Sequence, residues 1–82
     1  MTVVTLLGKP GCHLCDDALA VVESVLVDYP AVTLEQRSIL DDPELLEKYV
    51  EEIPVVLIDE KVHNIWRIDA DRFRAAIQGE LT

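Results

Sequence analysis

The stretch TVVTLLGKPGCHLC, residues 2–15, decides how this chain is read. Its first six residues are β-branched or aliphatic and stop at Gly8, the pattern of a strand buried on both faces. Lys9-Pro10-Gly11 then forms a turn. Cys12 and Cys15 follow, and the chain has no other cysteine. From Cys12 to about Asp28 neither Gly nor Pro interrupts. Leu14, Ala18, Val21, Val22 and Val25 recur at helical spacing, and Cys15, Leu19 and Leu26 widen the stripe. A stripe that wide suits a helix packed on a sheet. The stretch therefore predicts strand, turn and helix, with the cysteine pair at the junction.

Further along, Tyr29-Pro30 ends the helix, and AVTLEQRSI (31–39) has the mixed polarity of an edge strand. DDPELLEKYV (41–50) carries a helix start, with Asp42 as N-cap and Pro43 in the first helical position. Leu45, Leu46, Tyr49 and Val50 are its expected apolar face. Ile53-Pro54 leads into a continuous apolar strand, Val55 to Ile58. Asp59, Glu60 and Lys61 are expected to turn the chain into a returning strand, VHNIW (62–66). Asp69 is expected to cap a last helix with Phe73, Ala76 and Ile77 inward and Gly79 as its stop. The order βαβαββα predicts an α/β fold in one domain, 1–82, with a mixed four-stranded sheet and three helices. Its strand–helix–strand opening implies a parallel pair joined by a right-handed crossover.

Sixteen acids against seven bases give a net charge of −9. Such a surface repels a phosphate backbone and an anionic bilayer, so no nucleic acid and no membrane is expected as partner. Half the residues are apolar, which argues against disorder. The opening residues have no basic run and no small-residue cleavage site, and no apolar run approaches a membrane span. A cytoplasmic, reducing setting is the expectation, with the chain acting as a monomer. In such a setting a close cysteine pair is more often catalytic or metal-binding than structural.

A closed zinc site needs four ligands. The chain offers two Cys and two His, with His13 lodged between the cysteines and His63 on a late strand. A metal would thus have to be shared between two molecules. Haem attachment needs His directly after the second cysteine, where this chain has Asp16. For redox chemistry the placement is favourable. Cys12 stands at a helix N-terminus, where unpaired N–H groups and the helix dipole stabilise a thiolate. A free thiol with a pKa of about 8.5 is about 3% ionised at pH 7; lowering the pKa to about 6 makes it about 90% thiolate. Lys9 adds positive potential, and Asp16 and Asp17 oppose it. Cys15 joins the buried stripe, so Cys12 is expected to be the more reactive thiol.

KPGCHLC after a first strand, the order βαβαββα, and EIPVVLID before a terminal hairpin together resemble the thioredoxin superfamily. Within it they look most like the bacterial glutaredoxin-like proteins, along nearly the whole chain. The resemblance implies a thioredoxin-like, glutaredoxin-size fold and a redox-active disulfide. Cys12 would be the nucleophile and Cys15 the resolving thiol. Pro54 would be a cis-proline facing the cysteines, with the Ile53 backbone pairing with a bound peptide or glutathione. Lys9 would sit near a glutathione carboxylate or the thiolate. Two departures stand out. Glutaredoxins usually carry Pro-Tyr where this chain has His13-Leu14, and a Gly-Gly turn where it has Trp66-Arg67. Asp69 matches an acid often found after that turn. The resemblance implies contact with substrate for these residues also, and a disulfide-bearing protein or peptide, or glutathione as co-substrate, in place of a resident cofactor. The alternatives are a metal or iron–sulfur carrier using the pair between two molecules, and a non-catalytic binding module of the same fold. Small copper carriers also use Cys-x-x-Cys, but in the order βαββαβ.

Overall fold

In the computed structural model, which describes residues 2–81, the sheet is built around its opening strand. β1 (Val3–Gly8) is flanked by β2 (Thr33–Ser38), parallel to it, and by β3 (Val55–Ile58), antiparallel. β4 (Lys61–Ile65) closes the far side against β3, giving the strand order β2-β1-β3-β4. With α1 (His13–Leu26), α2 (Pro43–Tyr49) and α3 (Ala70–Leu81) the order is βαβαββα, as the sequence predicts. β1 and β3 are central and bury almost every side chain, which is why both are unbroken apolar runs. β2 stands at the edge, and its Thr33, Gln36 and Arg37 are exposed.

The period-two alternation of the strands divides the core in two. Val4, Leu6, Val56 and Ile58 face Ala18, Val22 and Val25 of α1 and Phe73 and Ile77 of α3. Leu7, Val55 and Leu57 face the other way, towards Ile39, Tyr49 and Ile53. Arg74 bonds Asp28 at 2.8 Å, and Gln78 donates to the Tyr29 hydroxyl at 2.9 Å, pinning α3 to the end of α1. No helix among the described residues is long and apolar enough to cross a membrane.

Several local expectations need correction. α3 does not stop at Gly79 but runs through it to Leu81. A helical Gly costs only about 1 kcal/mol relative to Ala, too little to end a helix whose inner face is already packed. The α2 face is narrower than its four apolar residues suggest: Tyr49 is buried, whereas Leu46 and Val50 are exposed. Ile39–Asp41 form a 3-10 turn that shortens the second strand, and Ile39 takes the core place beside Tyr49. The hairpin turn has two residues, Asp59 and Glu60, both at positive φ, so β4 begins at Lys61 and Trp66 lies beyond it. Two residues at positive φ match the right-handed twist of the strands that they join.

His63 sits at an irregularity in the β3–β4 ladder, its ring 5.9 Å from that of Phe73. Its Nε2 is buried with no hydrogen-bond partner among the described residues. Burial pushes its pKa below the ordinary 6.5, and Arg72 adds to the shift. The folded state thus favours neutral His63, while the unfolded chain takes up a proton near pH 6.5. Stability should be full above that pH and should fall as pH drops from there to the lower folded pKa, where the slope ends. In thermal melts between pH 7.5 and pH 5.5, the parent should lose more stability than His63→Gln. Parallel profiles would exclude this role for His63.

Candidate active site

The cysteine pair is held where β1 meets α1. Gly11, at φ 78, makes the turn that brings the chain off β1. Cys12 is the N-cap of α1 with extended backbone, and its Sγ accepts a hydrogen bond from the Cys15 N–H at 3.2 Å. The two sulfurs are joined as a disulfide, with Cα atoms 5.2 Å apart, inside the span that such a bond covers. Cys15 is buried, and Cys12 is half-buried at the edge of the same cluster. The less covered sulfur therefore stands at the open end of the helix, and its partner is set into the core.

A seat for Cys15 is cut into β1. A Cβ on Gly8 would lie 3.0 Å from Cys15 Sγ and 3.2 Å from its Cβ. Both distances are tighter than ordinary van der Waals contact, so a side chain at this place would make the Cys15 side chain give by a few tenths of an ångström. Gly8→Ala should cost about 1–3 kcal/mol, the usual range for overpacking. A Cβ on Gly79 meets no described atom within 4 Å, so Gly79→Ala should be neutral or stabilising by up to about 1 kcal/mol. Denaturant midpoints of the two variants check the contrast, and equal midpoints would refute it.

The structure gathers some of the residues singled out from the sequence and separates others. Cys12, Cys15 and Ile53 share one cluster, with Ile65 at its margin. Pro54 is fully buried, the Ile53–Pro54 peptide is cis, and the Pro54 carbonyl accepts the Trp66 N–H at 2.8 Å. That bond ties the loop after β4 to the segment entering β3. Leu14 is not part of the buried stripe but is exposed, and with Trp66 and Arg67 it lines a groove of about 320 Å³ between α1 and the β4–α3 loop. Lys9 lies elsewhere, on a cavity of about 240 Å³ with Cys15, Gln36 and Arg37, over the β2 edge. His13 is exposed in the first turn of α1 and lines neither space. The Asp69 carboxylate accepts the Asp71 and Arg72 N–H groups at 2.9 and 3.1 Å, which makes it the cap of α3. Among the described residues no three or more His, Cys, Asp or Glu side chains are placed to hold a metal ion.

Sequence reasoning passed over Gly8 as a mere strand end, although a glycine four residues before the N-cap of a helix packed on that strand hints at a close approach. It gave Asp17 only an electrostatic part and passed over Ile68, and both line the groove beside Leu14. Their signal was weak, since an exposed acid and a lone aliphatic are common on any surface.

Comparison with known proteins places this geometry. The profile of the glutaredoxin-like domain (DUF836) matches residues 3–78. An uncharacterized Mycobacterium tuberculosis protein, Rv0508, is 32% identical over 78 residues, covering 90% of this chain and 80% of the relative. The X-ray structure of protein XcR50 from X. campestris superposes with a TM-score of 0.71 at 30% identity, over 93% of this chain and 96% of that one. The thioredoxin of Fasciola hepatica shares the fold, with a TM-score of 0.69 at 20% identity over 95% of this chain and 79% of its own. With strand order, cysteine placement and profile in agreement, the chain has the thioredoxin fold and belongs to the glutaredoxin-like (DUF836) family.

Proposed function

We propose that this protein is a dithiol–disulfide oxidoreductase of the cytoplasm. The observation that carries the reading is the Cys12–Cys15 disulfide at the start of α1, with the Cys15 N–H on Cys12 Sγ. In the reduced state that N–H and the helix dipole stabilise a Cys12 thiolate. The thiolate attacks a substrate disulfide, forming a Cys12–substrate bond and releasing one substrate thiolate, which takes a proton. Cys15, deprotonated, then attacks the Cys12 sulfur. This forms the Cys12–Cys15 disulfide and releases the second substrate thiol. Two electrons and two protons pass to the substrate, and a low-molecular-weight thiol or a second dithiol protein returns the pair to its reduced form.

The Ile53 backbone is the edge along which a peptide or glutathione would lie, by β-type pairing. Glutathione is expected to be the poorer substrate. Trp66 and Arg67 put side chains where a tripeptide needs close backbone approach, and the net charge of −9 repels an anion. Equilibration in glutathione redox buffers, followed by acid quench and alkylation, tests the core of this reading. The pair should titrate reversibly between roughly −180 and −270 mV, the span of related dithiols. Thiols that never pair in any buffer would contradict it.

A further inference from the structure

The cavity of about 240 Å³ over the β2 edge lies between the first half of α1 and β2. Leu6 and Leu19 make up its apolar part. Lys9, Asp16 and Gln36, which also line it, are exposed, so the space opens to solvent. Cys15 lines it although only 8% exposed, and its Sγ lies against Gly8, which lines the same space. Cys12 is not among its lining residues. The buried cysteine is thus met by a solvent space that the outer one does not share. Sites for drug-sized ligands span roughly 300–1,000 Å³. This one is smaller and suits a molecule of a few heavy atoms rather than a peptide strand.

Re-reduction of the pair begins with a thiolate attacking one of its two sulfurs, and the rate of that step depends on which thiol must leave. Attack on Cys12 expels a Cys15 thiolate into the core, where apolar surroundings disfavour it. Attack on Cys15 expels a Cys12 thiolate at the open start of α1, where the Cys15 N–H reaches Cys12 Sγ at 3.2 Å. The better-stabilised thiolate is the better leaving group. Charge does not choose the ligand here: Lys9 and Arg37 stand against Asp16 and against Glu35, which Arg37 holds at 3.1 Å. Size and leaving group do.

Resting on the exchange reading above, we infer that this cavity admits the electron donor: a low-molecular-weight thiol that attacks Cys15 from the β2 side, whereas substrate disulfides are met by Cys12. The donor thiolate bonds to Cys15 Sγ as the Cys12–Cys15 bond breaks, and Cys12 keeps the electron pair and takes a proton. A second donor thiolate then attacks the donor sulfur of that mixed disulfide. Cys15 leaves with the electron pair and takes a proton, and the donor departs as its own disulfide. Two donor thiols are oxidised, and give up two protons, for each pair reduced.

In the experiment the oxidised full-length protein is mixed with mercaptoethanol at neutral pH and quenched with acid at intervals. The freed thiol is alkylated with N-ethylmaleimide at mildly acidic pH, and tandem mass spectrometry locates both groups. Mercaptoethanol should be found on Cys15 and the maleimide on Cys12. A second arm decides even where the mixed disulfide is too short-lived to catch. Gln36→Trp fills the cavity from an exposed position on β2. Its reduction by mercaptoethanol should slow about 10-fold, because the rate depends on access to the attacked sulfur. Gln36→Ser, which leaves the space open, should keep the parent rate. Both variants, once reduced, should exchange with a disulfide-linked peptide as the parent does, because that reaction starts at Cys12. Mercaptoethanol on Cys12, or reduction of Gln36→Trp at the parent rate, overturns this inference and leaves the exchange reading standing. A reduced parent that exchanges with no peptide disulfide overturns both.

Discussion

Cys12→Ser should lose catalysed exchange altogether, while Cys15→Ser should complete the first half of the reaction and stop. The difference comes from where the sulfurs sit. Cys12 caps α1 at the edge of its cluster, whereas Cys15 is buried against the Gly8 backbone and turns its N–H towards Cys12. A nucleophile must reach its substrate, and a resolving thiol needs only to reach its neighbour. The N–H groups and dipole of the helix start favour the Cys12 thiolate over that of an ordinary thiol, which enlarges the nucleophile population at neutral pH. Part of that gain is lost to lower basicity. Iodoacetamide alkylation at pH 6 should therefore be at least several-fold faster in Cys15→Ser, where Cys12 remains, than in Cys12→Ser. A faster Cys12→Ser would reverse the roles.

The second large effect is on stability. Phe73 has no exposed surface, packs between α1 and the sheet, and carries the ring of His63 on its own. Phe73→Ala removes most of a buried aromatic and leaves a cavity, a loss of about 3–5 kcal/mol. A chain of 82 residues holds only about 4–12 kcal/mol in total, so the variant should be close to unfolding. Its Tm should fall by more than about 12 °C. Val27→Ala is the matching control, because Val27 is 77% exposed and should shift stability by no more than about 0.5 kcal/mol. Phe73 also anchors the helix that Asp69 caps. In a Phe73→Ala protein that still folds, the β4–α3 loop and its side of the groove should loosen first.

The parts of the fold that the sequence made legible are those where local signals and burial agree. TVVTLL and VVLI are central strands, and only a strand buried on both faces is so uniformly apolar. Asp42-Pro43 starts α2 because capping and fixed φ act within one turn, whatever lies around them. The misreadings fall where a tertiary effect outweighs a local one. Gly79 signals a helix end, yet Phe73 and Ile77 hold α3 against the sheet and carry the helix past it. Leu46 and Val50 look like core by spacing, but the short α2 has room to bury only Tyr49 fully.

The candidate site divides in the same way. The cysteines and Ile53-Pro54 stand out because their residue types are rare and their spacing is characteristic. The exposure of Trp66 follows from no local pattern, since a tryptophan after an apolar strand more often fills a core; only the resemblance, which implies contact with substrate, pointed to it. What holds it out is a bond to the Glu51 carbonyl, fifteen residues away in sequence. Lys9 and Trp66 look like parts of one site in sequence, yet they line separate spaces, over the β2 edge and beside the β4–α3 loop.

The most direct test of the exchange chemistry is the intact mass of Cys15→Ser after incubation with a disulfide-linked peptide at neutral pH. Cys12 is then the only thiol in the chain. The account predicts one covalent peptide adduct per protein, formed within seconds to minutes and fully released by a dithiol reductant. A protein that keeps its unmodified mass, while a free cysteine peptide of the same concentration reacts normally, would contradict it.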